Sequence, residues 1–262
     1  MPTTTYRAVF SDIDGTLLNS QHQITPKTVQ AIQRIHRQGI PFILVSARPP
    51  LAMTPYTTQL QLQNALVCYS GALILDNDLN PLYSIAIEEK TLQRLNADLA
   101  TTSSLSINHY ANLDWFSNDL NNEWTLQEAE ITGLTAKPTP QTLSFVHKIL
   151  IMGNAMEIQA LEAELKPKYP ELAIHRSKNE YLEIMHKNAS KSHAIRFMEK
   201  VLGIERAEII AFGDNYNDLD MLEYAGLSVA MANAPQEIKQ AAKRVTASNN
   251  EDGIALVLDD IF

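Results

Sequence analysis

The chain has 262 residues, 45% of them hydrophobic, enough for one large domain or for a core domain carrying a smaller insertion. Its 21 basic residues against 30 acidic ones give a net charge of -9, the wrong sign for gripping a nucleic-acid polymer or an anionic lipid surface. Cys68 is the single cysteine, which excludes an intramolecular disulfide and a cysteine-based zinc cluster. No stretch approaches the ~20 apolar residues of a membrane span, so a cytoplasmic protein with no membrane partner is expected.

The first apolar run, Ala8-Val9-Phe10, empties into the polar segment Ser11-Asp12-Ile13-Asp14-Gly15-Thr16 and predicts a buried strand ending in a loop. A helix follows: Thr25 can cap it, Pro26 suits its first position, Val29, Ile32 and Ile35 recur on one side, and Gly39 is placed to end it. Pro41-Phe42-Ile43-Leu44-Val45 and Ala65-Leu66-Val67-Cys68-Tyr69 are further short strands. They end in Ser46-Ala47-Arg48 and Ser70-Gly71. Strand, helix, strand at this spacing argues for parallel pairing, and ligands then gather at the carboxyl ends of the strands.

From about residue 85 the texture changes. A helix is expected over Lys90 to Leu99, strands around Ile107 and Trp115, and a polar helix from about Asn121 to Glu130, before a Pro138-Thr139-Pro140 break. A strand over Lys148 to Met152, a helix over Ala155 to Lys168, and strands around Ile174 and Leu182 repeat the order. Residues 85–186 are therefore expected to form an inserted α+β domain of two βαββ units. The core rhythm then resumes with a helix from Lys191 to Leu202 ending at Gly203 and a strand, Ile209-Ile210-Ala211-Phe212, leading to Gly213-Asp214-Asn215-Tyr216-Asn217-Asp218. Short strands are expected at Ser228-Val229-Ala230 and Arg244-Val245-Thr246. The expected fold is α/β: a doubly wound, mostly parallel, Rossmann-like sheet with helices on both faces, formed by residues 1–84 and 187–262.

Two carboxylates two residues apart at a strand end, Asp12 and Asp14, repel unless a cation sits between them, and oxygen ligands of this kind suit Mg2+. Alone, the segment also fits a tight turn in which Gly15 supplies positive φ. Asp214 and Asp218 follow another apolar strand. Asn217 can cap a helix beginning near Asp218, which explains those two residues and leaves Asp214 unexplained. If the strands are neighbours, four acids converge at a cost of several kcal/mol without a metal. Lys191 opens a helix, where a positive charge is mildly unfavourable unless an anion meets it; the alternative is an ordinary solvated lysine. Ser46 is either a turn residue or a phosphate ligand. His109, Tyr110, Trp115, His175, Arg176 and Tyr181 of the insertion are core or solvated residues more often than substrate contacts.

These segments, in this order, resemble the haloacid dehalogenase superfamily of aspartyl phosphatases, and the large insertion is similar to that of its Cof-like subfamily. The resemblance extends to Ala225-Gly226-Leu227-Ser228-Val229-Ala230-Met231 and to Asn249-Asn250-Glu251-Asp252-Gly253. It implies a Mg2+-dependent phosphatase for small phosphorylated metabolites, with Asp12 as nucleophile and Asp14 as general acid and base. It also implies Mg2+ on Asp12, Asp214 and the Asp14 carbonyl, phosphate contacts from Ser46, Ala47, Lys191 and Asn217, and a supporting role for Asp218. Ala47 and Ser192 stand where that family usually has glycine, and Ser70 where it often has asparagine. Two other functions share this chemistry. A phosphomutase would yield an isomeric sugar phosphate instead of free phosphate, and a phospho-accepting signalling module would need a long-lived phosphoenzyme, which a second acid at Asp14 shortens.

Overall fold

The opening apolar run becomes β1 (Ala8–Ser11), buried along its whole length. The computed structural model describes residues 5–100 and 104–262. In α1 (Pro26–Arg37), Thr25 caps the first turn by accepting from Thr28 N, Pro26 occupies the first turn, and Arg34, His36 and Arg37 complement the C-terminal dipole. Then come β2 (Phe42–Val45), α2 (Thr54–Leu60), β3 (Leu66–Cys68), β4 (Leu73–Leu75) and β5 (Pro81–Ser84).

The chain divides into two compact units, one made of residues up to Arg48, Met53–Leu82 and Ser190–Phe262, the other of Pro49–Ala52 and Tyr83–Ala189. The second unit contains β6 (Ile87–Glu88), α3 (Glu89–Leu99), β7 (Ser106–Ala111), β8 (Asp114–Ser117), α4 (Glu123–Thr132), β9 (Lys137–Pro138), β10 (Phe145–Val146), β11 (Lys148–Met152), α5 (Ala155–Lys168), β12 (Leu172–Lys178) and β13 (Tyr181–His186). Its six-stranded sheet runs β12-β13-β11-β7-β8-β9, while β6 and β10 pair separately. Ile107, Ile149, Ile151, Ile174, Leu182 and Ile184 form one apolar cluster with Leu92, Leu95 and Leu99 of α3 and Ile158, Leu161 and Leu165 of α5. Each such side chain contributes about 1.5–3 kcal/mol by leaving water. The alternate positions carry polar groups, among them Asn108 and the Lys148–Glu183 ion pair at 3.1 Å. The polar helix starts later than its composition suggests because Asn122 caps it by accepting from Trp124 N at 2.9 Å. Tyr110 stacks on Trp115, with ring centroids 5.8 Å apart. The Trp115 indole donates to Asn108 at 2.8 Å, and Arg176 donates to Glu162 at 2.8 Å.

The chain returns to the first unit with α6 (Lys191–Leu202), β14 (Ile209–Gly213), α7 (Leu219–Tyr224), β15 (Leu227–Ala230), α8 (Gln236–Ala241), β16 (Arg244–Val245) and α9 (Gly253–Ile261). The eight-stranded sheet has the order β16-β15-β14-β1-β2-β3-β4-β5, and its pairs from β16 to β3 are parallel. β4 runs antiparallel to β3, an edge addition that the sequence pattern did not reveal. β1 lies between β14 and β2, with Ser11 level with Phe212 on one side and Leu44 on the other. The residues after these strands, Asp12, Asp214 and Ser46, therefore leave the sheet at neighbouring carboxyl ends. Among the described residues no helix is long and apolar enough to cross a membrane.

Candidate active site

Asp12 is the first residue past β1 and is tied to the adjacent strand by its N–H to Phe212 O at 3.0 Å. Lys191 opens α6, where Ser190 caps the first turn through His193 N at 3.2 Å. The Lys191 side chain is 1% exposed; it donates to Asp12 Oδ1, to Asp218 Oδ1 at 2.5 Å and to the carbonyl of Val45, just before Ser46, at 3.3 Å. It is thus not a solvated lysine, and the anions that offset its place at a helix start are two carboxylates of the protein itself.

Asp218 is fully buried, and its second oxygen accepts from the N–H groups of Asp214 at 2.9 Å and Asn215 at 3.0 Å. The cap at this turn differs from the sequence expectation. Asn215, in extended conformation, forms a reciprocal capping box with Asp218, and Asn217 is exposed within the short 3-10 turn Tyr216–Asp218. Two asparagines flank Tyr216, and spacing alone does not say which one has the extended backbone that a cap needs. Asp214 Oδ1 accepts from Thr16 Oγ1 at 2.6 Å. Gly15, at φ +82°, lies so close that a Cβ there would overlap the Asp214 carboxylate, with Asp214 Cγ at 2.8 Å. Glycine is required by both the turn and the acid packed against it.

Carboxylate oxygens of Asp12, Asp214 and Asp218 lie within 4.8 Å of one another, with Lys191 the ammonium among them. Burial, reinforced by Asp218, pushes the Asp12 carboxyl well above its ordinary value. Burial likewise lifts Asp214 to about 6 against the Thr16 hydrogen bond. Lys191 shows the converse: burial works against its charge, and Asp12 and Asp218 outweigh it, so the ammonium is held more firmly than usual. Negative charge is in surplus here. Both oxygens of Asp218 are engaged, whereas Asp12 Oδ2 and Asp214 Oδ2 accept no hydrogen bond among the described residues. Two such oxygens in a buried acidic cluster fit a hard divalent cation such as Mg2+.

Asp14 does not join this cluster through its side chain. Its carboxylate takes a two-pronged ion pair from Arg48, at 2.7 Å from Nε and 2.6 Å from Nη2, and Arg48 also lies over the Tyr56 ring at 5.5 Å. Residues 9–258 match the haloacid dehalogenase-like hydrolase family. The chain belongs to that family.

A candidate phosphatase of Haemophilus influenzae is 51% identical to this hydrolase over 98% of each chain. The 5-amino-6-(5-phospho-D-ribitylamino)uracil phosphatase YitU of Bacillus subtilis is 28% identical over 96% of each. Among solved structures, a haloacid dehalogenase-like hydrolase from Bacteroides thetaiotaomicron superposes with a TM-score of 0.91 at 29% identity, covering 98% of this chain and 100% of its own.

The remaining sites expected in this hydrolase separate into two groups. Ser46 is 2% exposed beside the Lys191 contact, and its hydroxyl accepts from Arg48 N at 3.2 Å. Ala47 is half-buried in the same turn. Asn217 points to no member of the Asp12–Lys191–Asp218–Asp214 network. Sequence reasoning missed Arg48 and Thr16. Arg48 carried a signal, as the one cation in a polar strand-end segment beside an acidic loop; Thr16 carried none, because its partner is 198 residues away.

Proposed function

We propose that this chain is a Mg2+-dependent phosphatase that hydrolyses phosphate monoesters of small metabolites through an aspartyl-phosphate on Asp12. The observation that carries this is the buried Lys191 joined to both Asp12 and Asp218, with Asp214 alongside and two carboxylate oxygens unengaged. Asp12, Asp214 and the Asp14 carbonyl would hold the Mg2+, which when bound would offset the charge of the phosphate dianion and of the carboxylates around it. Lys191 favours the ionised form of Asp12 against its burial and, with the Ser46 hydroxyl, donates to phosphoryl oxygens as they gain charge.

In the first half-reaction an Asp12 oxygen forms a bond to phosphorus while the bond to the leaving oxygen breaks. Asp14 gives its proton to that oxygen. In the second, Asp14 takes a proton from water, whose oxygen attacks phosphorus, and the acyl phosphate bond to Asp12 breaks to release free phosphate. The Arg48 ion pair engages both carboxylate oxygens of Asp14, so its service as acid requires it to leave Arg48.

The groups around Lys191 reach only the phosphoryl group and the metal. We assign choice of the leaving group to the second unit, acting as a cap that excludes water. Sugar phosphates, nucleotides and phosphorylated cofactors form the substrate panel, with the YitU substrate included because that relative acts on a phosphorylated ribityl compound. Asp12→Asn is expected to retain the fold and lose all turnover, and rapid quench of the wild type is expected to trap phosphate on Asp12. Turnover by Asp12→Asn, or phosphate trapped elsewhere, would refute covalent catalysis by Asp12. Replacing residues 85–186 with a short linker is expected to keep some p-nitrophenyl phosphate hydrolysis and erase preference across the panel; an unchanged preference order would return specificity to the first unit.

A further inference from the structure

The closing segment Asn249–Gly253 and the turn after β15 lie outside the chemistry above, yet both reach the loop that carries Asp12 and Asp14. That loop closes on itself through Leu17 N and Leu18 N, which donate to Ile13 O at 3.0 and 2.9 Å. The carbonyls of Gly15 and Leu18 in this loop also take side-chain donors from distant segments. Asn233 Nδ2 donates to Gly15 O at 2.8 Å, and Asn249 Nδ2 donates to Leu18 O at 2.8 Å. The two asparagines are joined, since Asn249 N donates to Asn233 Oδ1 at 3.0 Å. That contact fixes the Asn233 amide with its oxygen toward Asn249 and its NH2 toward Gly15.

The other end of the Asn233 turn is tied to β14, where Met231 N donates to Gly213 O at 3.1 Å, one residue before Asp214. Asp214 in turn takes the Thr16 hydroxyl at 2.6 Å. A closed ring results: Gly15 to Asn233, Met231 to Gly213, Asp214 to Thr16, and back along the chain. A Cβ on Gly15 would overlap the Asp214 carboxylate, so inside this ring only glycine lets the loop and Asp214 pack this closely.

We propose that Asn233 and Asn249 are positioning residues that set the spacing between the Asp12–Asp14 loop and Asp214. Neither touches the reacting groups. The orientation of a ligand carboxylate is commonly fixed by such outer partners, and their loss lowers metal affinity or activity by about 10-fold to 100-fold. The proposal rests on the metal-dependent phosphatase reading above.

The test uses the full chain with Asn233→Ala, Asn249→Ala and Asn233→Leu, the last filling the asparagine's volume without a donor. Two quantities are read: kcat and KM for p-nitrophenyl phosphate with Mg2+, and direct binding of Mn2+ followed by electron paramagnetic resonance. The expected result is a fall in kcat and in Mn2+ affinity of about 10-fold or more, with KM and Tm near wild type. A merely structural asparagine would lower Tm and leave kcat per folded molecule and Mn2+ affinity unchanged, and that result overturns the proposal. Changes within about twofold in both quantities also overturn it, being far below the expected scale. If the wild type binds Mn2+ but cleaves no phosphate ester, the phosphatase reading fails, while a weakened Mn2+ affinity in the variants still upholds the clamp. Absence of Mn2+ binding by the wild type overturns both.

Discussion

Each unit of the molecule buries a lysine among carboxylates, and the two arrangements solve that problem differently. In the second unit Lys148 pairs with Glu183 at 3.1 Å, the side chains 7% and 8% exposed. Burial pushes Glu183 up, but Lys148 and then His175 outweigh it and hold the carboxyl below its ordinary value. Glu128, which feels the same lysine, is pushed up by burial. In the first unit Lys191 faces Asp12, Asp214 and Asp218, and there burial lifts Asp12 and Asp214 instead. One cluster is close to charge balance and holds a sheet together. The other keeps a surplus of negative charge, the feature on which the proposed cation-dependent function rests.

The two lysines break this comparison most directly. Lys191→Ala is expected to lower kcat by about 10² to 10³, the scale for removing one preorganised donor to a developing charge. Lys148→Ala is expected to leave p-nitrophenyl phosphate turnover unaltered and to cost about 3–5 kcal/mol of stability, since Glu183 stays buried without its partner. A Lys191 variant with wild-type kcat in steady-state assays would erase the distinction.

Neutralising one carboxylate in each cluster sharpens it, because the signs differ. In chelator-treated protein Glu183→Gln is expected to destabilise by about 3–5 kcal/mol, because the buried Lys148 loses its ion pair with Glu183. Asp214→Asn is expected to stabilise by about 1–3 kcal/mol, because the folded pKa near 6 exceeds the ordinary 3.8 and the charged form is the costly one. Urea denaturation of each variant reads both values, and destabilisation by Asp214→Asn would mean that its charge is already satisfied.

The two units also separate by pH. Burial lowers His109 and His147 of the second unit to about 4. Both are neutral in the fold, with His147 Nδ1 accepting from Asn112 N at 3.1 Å. The unfolded chain takes up their protons first, so the second unit loses stability as pH falls from about 6.5 to about 4, by up to about 3 kcal/mol for each histidine. The metal-free first unit has the opposite slope near Asp214: its folded pKa is raised, so stability is lost as pH rises from about 4 to about 6. Peptide-resolved hydrogen exchange across this range is expected to show protection falling on acidification in β7 and β11 and rising around β14. Parallel slopes in both units would count against the contrast.

What the sequence disclosed follows from the range of each interaction. Continuous apolar runs such as Phe42–Val45 and Ile209–Gly213 are buried parallel strands, and their polar exits do bring Asp12, Asp214 and Asp218 together around Lys191. Short elements with weak periodicity, α2, α8 and β4, left no comparable pattern. The contacts of Arg48 with Asp14, of Thr16 with Asp214, and of Asn233 and Asn249 with the loop after β1 join distant segments. No local periodicity records contacts of that kind; they become visible only when strand order is known.

Surplus negative charge at Asp12 and Asp214 is the feature on which the proposed cation dependence rests. The most direct measurement is Tm and p-nitrophenyl phosphate hydrolysis for chelator-treated wild type and Asp214→Asn, each with and without added Mg2+. The account predicts that Mg2+ raises the Tm of the wild type and restores its turnover, and does neither for Asp214→Asn. Chelator-treated wild type that hydrolyses at the untreated rate, with a Tm indifferent to Mg2+, would contradict it.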